Sequence, residues 1–180
     1  MKRQDLLKRK IREYIKRTQL IESKDNLKLE KPFLTKARKN LAVANLLMKI
    51  SDDTELKNTL DLAEGFETHD WIIIVAYYAM YTSALAALAR QELKSKSHAA
   101  TLAVLEQHYL YEQKILETKH LEKLSKAYMI SEAMITKLIQ TKTRRETAQY
   151  NATPAITREN AQTSLADADE FITKIEEILS

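Results

Sequence analysis

The chain has no cysteine, one glycine (Gly65) and two prolines (Pro32 and Pro154) among 180 residues. Without cysteine there are no disulfides, no thiolate zinc sites and no cysteine nucleophile, which fits a reducing cytoplasm. With one glycine there is no phosphate-cradling P-loop and no dinucleotide fingerprint. Tight hairpins need residues at positive φ, so an all-β fold is excluded as well. The opening residues MKRQDLLKRK are basic. No apolar stretch follows them, so a secretory signal is not expected.

One long apolar run is present. Trp71 to Ala89 (WIIIVAYYAMYTSALAALA) carries no charge and is bracketed by Asp70 and Arg90. It is too long for a strand and reads as a helix. A helix apolar on every face is either the centre of a bundle or a membrane span. Its texture favours the bundle. Ala76, Ala79, Ser83 and Ala86 form a small stripe that admits a neighbouring helix closely. Tyr77, Tyr78 and Tyr81 carry hydroxyls that lipid cannot satisfy.

Charge is unevenly placed. The net charge is +4, yet residues 1–17 hold eight Lys/Arg against Asp5 and Glu13, a local +6. The remaining residues hold 21 Lys/Arg against 23 acids, a net −2. Leu7, Ile11, Tyr14 and Ile15 recur at helical spacing, so this segment reads as a basic amphipathic helix. Three roles are compatible with it: a solvated strut docked by its apolar side, a phosphate-binding arm, and a membrane-surface helix.

The remaining pattern predicts an all-α antiparallel bundle of about five helices, residues 32–180, preceded by the basic helical extension, residues 1–31. Ser23 to Lys31 reads as a polar joint. Pro32 suits the first turn of a helix running to about Ile50. Ser51 to Asp53 can end it and cap a short helix, with Gly65 as a C-terminal stop. After the central helix, LKSKSH reads as a loop, and Ser97 as the N-cap of a helix near Ala99 to Tyr109. A long helix is expected from about Thr118 to Asn151. Thr157 caps the last helix, whose inner stripe is Ala161, Leu165, Ala168, Ile172, Ile175 and Leu179. Its acids Asp167, Asp169, Glu170, Glu176 and Glu177 are expected to face outward.

Chemistry candidates are few. A di-iron bundle needs two Glu-x-x-His pairs, and the chain has one, Glu117 with His120. His108 and Glu112 read as a surface pair, and no nucleophile elbow is present. No metal or cofactor is therefore expected. The most specific polar stretch is KTRRETAQYN, Lys142 to Asn151. Its cations suit the negative end of a helix dipole. They also suit a phosphate-binding corner, because guanidinium groups grip phosphate oxygens in a planar fork.

Taken in order, TKARKNLAVANLLM (35–48), AYYAMYTSALAALA (76–89), the following KSH (96–98), RRETAQY (144–150) and NAQTSLADADEFITKIEEIL (160–179) resemble the HEPN family of small helical domains. The resemblance implies an antiparallel bundle, usually a homodimer, associated with RNA cleavage or with toxin–antitoxin pairs. In such pairs the partner is often a minimal nucleotidyltransferase. Active relatives show Arg, four to six residues, then His. Arg145, or Arg144, matches the arginine, while Tyr150 and Asn151 stand where the histidine would fall. The chain is closer to a branch reading Arg-x-x-Ala-Asp-Tyr, with Gln149 in place of the acid, and His98 aligns with a histidine of that branch. The resemblance thus implies an RNA-binding module, weakly catalytic or non-catalytic. Lys142, Arg144, Arg145 and Asn151 would sit on phosphate, beside Tyr150. The alternatives are a metal-independent ribonuclease using Arg145 and Tyr150, and a purely structural interaction domain. No membrane partner is expected.

Overall fold

The computed structural model describes residues 3–144 and 157–180, with side chains for 3–135 and 157–180. The order is α1 (Arg3–Lys16), β1 (Leu20–Glu22), a 3₁₀ turn (Lys24–Leu29), α2 (Glu30–Asp52), α3 (Thr54–Thr59), α4 (His69–Arg90), β2 (Leu93–Ser95) and α5 (His98–Leu105). A π-helical continuation (Glu106–Glu112) follows, then α6 (Thr118–Arg144) and α7 (Arg158–Leu179). The all-α class is as the periodicity predicts.

α4 is the axis. Its small stripe, Ala76, Ala79, Ser83 and Ala86, is fully covered, and α2, the helix it packs against most extensively, brings its own buried small residues Ala37 and Ala44. α7 lays its predicted stripe, with Phe171, against the same axis. Each large apolar side chain buried this way stabilises by ~1.5–3 kcal/mol. α4 is long and apolar enough to cross a bilayer, yet 78% of its most apolar window is buried by the surrounding elements.

Caps follow the expected residues. Asp53 Oδ1 accepts from the Leu56 amide at 3.0 Å, and Ser97 Oγ from the Ala100 amide at 3.3 Å. Thr157 and Asn160 form a reciprocal capping box. Gly65 is not the stop. α3 ends at Thr59, and Asp61 takes the left-handed turn at φ 55°, which its short polar side chain tolerates.

The extension is not separate from the bundle. The segments read as joint and loop meet as a two-stranded antiparallel ribbon, with Leu20 opposite Ser95 and Glu22 opposite Leu93. The buried Asn26 clamps it, donating to the Ile21 carbonyl at 2.9 Å and the Glu92 carbonyl at 3.0 Å. Leu20 is 1% exposed and belongs to the main core. Strands this short carry too little alternation to be read from sequence.

The acids of α7 stay outside the core as read, with Asp169, Glu170 and Glu177 exposed, but most of them are also tied to neighbouring helices. Arg38 of α2 bonds Asp169 at 2.7 Å and Glu176 at 2.9 Å. Lys123 of α6 bonds Asp167 at 2.9 Å and Glu170 at 2.6 Å. Four of the five acids thus line the two seams that hold α7 to its neighbours.

Candidate nucleic-acid interface

α1 meets the bundle along its apolar stripe. Leu7 is buried, and Ile11, Tyr14 and Ile15 pack on the core. Docking that stripe fixes the opposite side outward. Lys8, Arg12 and Lys16, four residues apart, share one exposed row about 12 Å long at ~1.5 Å per residue. Arg3, Lys10 and Arg17, seven apart, share a second. Three α1 cations have acidic neighbours: Arg3 with Glu106 at 2.6 Å, Lys8 with Glu112 at 3.7 Å and Arg9 with Glu13 at 3.7 Å. Among the described residues, no carboxylate pairs with Lys10, Arg12, Lys16 or Arg17. The strut and the cationic surface are therefore two faces of one helix.

The predicted corner lies at the far end of α6. Lys142 and Arg144 are on the helix backbone; their side chains, and Arg145, Tyr150 and Asn151 entirely, lie outside the described residues. The seam gives the register. Lys123 opposite Asp167 and Glu170 sets α6 antiparallel to α7, so Arg158 falls opposite roughly residue 132. α6 then overshoots the start of α7 by about twelve residues, ~18 Å. The helix carrying Lys142 and Arg144 thus runs past the end of the α6–α7 seam.

Sequence reasoning missed an aromatic box around His98. The ring stacks on Tyr128 of α6, with centroids 3.9 Å apart and planes at 9°. Tyr77 and Tyr81 of α4 approach it at 6.1 and 6.0 Å. Both ring nitrogens are shut off from solvent without hydrogen-bond partners. Burial pulls the imidazole pKa down to about 4, so the ring is neutral at pH 7. Burial, reinforced by neighbouring tyrosines, pushes the Tyr77 hydroxyl upward. A ring with both nitrogens covered cannot take a proton from a substrate, so the box packs rather than catalyses. The available signal was the Tyr77/Tyr81 pair at i, i+4; Tyr128 is remote in sequence.

His108 and His120 have structural partners, His120 also facing Glu170 of α7 at 3.9 Å. His108 Nδ1 lies 3.0 Å from Glu112. His120 Nδ1 accepts from the Glu117 amide at 3.0 Å, capping the start of α6 rather than presenting half a metal site. Among the described residues no group of three or more His, Asp or Glu side chains could hold a metal. A cleft of about 380 Å³ between α4, α6 and α7 mixes Lys126 with Glu159 and with Lys123, which is already tied to Asp167.

A final feature is apolar. Trp71 is 50% exposed, and Tyr78 and the half-buried Val75 share its stripe on α4. Leu46, 55% exposed, and Val43 stand on α2. Both rows lie away from α7, which α2 meets through Arg38 and α4 through the Ile73–Met80 side. No protein-family model matches the chain, and no curated protein matches it.

Proposed function

We propose that this chain is an RNA-associated helical module of the HEPN type that binds the phosphate backbone and does not cleave it efficiently. The observation that carries the reading is the outward cationic surface of α1, held in place by the docked apolar stripe. Clustered cations fixed on a rigid helix release counterions when they meet a polyphosphate, which drives association. The helix end bearing Lys142 and Arg144 adds a second positive segment, followed in sequence by the cation Arg145 and the neutral hydrogen-bonding Asn151. Weak catalysis fits the residues. Tyr150 stands in place of the family's histidine, and an ordinary tyrosine, with a pKa near ~10, is a poor base at neutral pH. His98 is neutral but enclosed.

The proposal includes a homodimer, joined through the Trp71, Tyr78, Val43 and Leu46 face. Exposed large apolar side chains on two helices packed against each other offer such an interaction surface. The resemblance extends the setting to a toxin–antitoxin pair with a minimal nucleotidyltransferase partner. The test is labelled single-stranded RNA incubated with wild-type protein in chelator. The expected result is salt-sensitive binding with the RNA left at full length. Absence of binding, or chelator-resistant cleavage, would overturn the proposal.

A further inference from the structure

Beside α1 lies a second concavity, a groove of about 890 Å³ between the N-terminus of α1, the π-helical segment and the first half of α6. Its apolar lining includes the buried Leu121 with Leu110 and Ile130, and the 70% exposed Met129 stands at its opening. Tyr111 forms one wall beside the Arg3 guanidinium, and Ser125 and Glu122 edge the other. We infer that this groove receives an unpaired nucleobase of single-stranded RNA whose backbone follows α1. The inference rests on the RNA-binding reading and adds to it a preference for single strands.

Arg3 belongs at once to the groove wall and to the Arg3, Lys10, Arg17 row. A strand that runs along Arg17 and Lys10 toward the N-terminus of α1 reaches the groove at Arg3, whose guanidinium Glu106 of the lining holds in place at 2.6 Å. Bases in single-stranded RNA can swing off the backbone, stack on an aromatic or guanidinium plane and be read along their polar edges. Tyr111 and Arg3 offer such planes. The Ser125 hydroxyl can donate or accept, and the Glu122 carboxylate can accept from an exocyclic amine. A duplex keeps its bases stacked inward and gains only the phosphate contacts. An apolar lining in a cleft of this size, with a few polar groups at the edge, is the common build of a small-ligand site.

The experiment compares fluorescence anisotropy for a single-stranded oligonucleotide and a duplex of the same length, using full-length wild type and Met129→Glu. Met129 is exposed, so the substitution spares the core, and circular dichroism checks the fold. A 4-thiouridine-substituted single strand adds a crosslinking readout. Wild type should bind the single strand at least about tenfold more tightly than the duplex. Met129→Glu should remove that preference and leave duplex binding and its salt dependence unchanged. The crosslink should map to Tyr111 or Met129. Salt-dependent binding with no preference for single strands, or with a preference that Met129→Glu leaves intact, would overturn the groove assignment while the phosphate-binding reading stands. Absence of RNA binding by wild type would overturn both.

Discussion

Acidification should weaken the fold through His98 before the carboxylates of the ion-paired seams take up protons. In the folded chain burial holds this imidazole at a pKa of about 4. In the unfolded chain it returns to an ordinary ~6.5. Between those values the unfolded state binds a proton that the folded state refuses, so stability falls as pH drops from 6.5 toward 4 and is fully present above that window. An undiscounted shift would remove ~2 kcal/mol between pH 7 and pH 5; the nitrogens are covered but the residue as a whole is half-buried, so solvent screening reduces this to about 1 kcal/mol. His98→Phe keeps the stacking partner for Tyr128 and has no titrating nitrogen. Urea unfolding followed by circular dichroism at pH 7 and pH 5 should show wild type losing about 1 kcal/mol more than the variant across that interval. Equal losses for the two proteins would refute the assignment of a low imidazole pKa to the tyrosine box.

Removing residues 1–22 should destabilise the bundle by about 3–6 kcal/mol, because Leu7 and Leu20 leave the core and the ribbon is lost; an unchanged melting temperature would contradict the docking of α1. Light scattering should give twice 20.8 kDa for wild type and 20.8 kDa for Trp71→Glu, whereas a monomeric wild type would remove the apolar face as a dimer contact. Arg145→Ala should weaken RNA binding with a shallower salt dependence, and Tyr150→Phe should change it little. Tyr150→His restores the family's Arg-x4-His spacing and should produce chelator-resistant cleavage; a variant as inert as wild type would locate the missing catalytic power elsewhere.

The helices were legible where periodicity is long and the caps are polar. The stripe of α7, the caps at Asp53, Ser97 and Thr157, and the uncharged α4 were all set by local side-chain chemistry. The ribbon was hidden because two three-residue strands, some seventy residues apart, have no period to detect. The ion pairs of the α7 acids were hidden for a related reason. A helix wheel places these acids off the buried stripe, but does not show that Arg38 and Lys123 reach them from other helices. For the candidate site, the basic character of α1 was plain from charge counting. Its outward rows became definite only once Leu7, Ile11, Tyr14 and Ile15 had a surface to dock on. His98 and Tyr128, thirty residues apart, meet only through tertiary packing.

Replacing Lys10, Arg12 and Lys16 together by Gln, which removes cations from both rows, and recording RNA affinity across a salt series, tests the central claim most directly. All three side chains are exposed, so the fold should survive. Each lost phosphate contact to a single strand lowers the slope of log K against log salt by ~0.7, so the triple variant should lose about two from the wild-type slope. A variant that binds RNA with the wild-type slope and affinity would contradict the account, since the outward rows of α1 would then be no more than the solvated side of a strut.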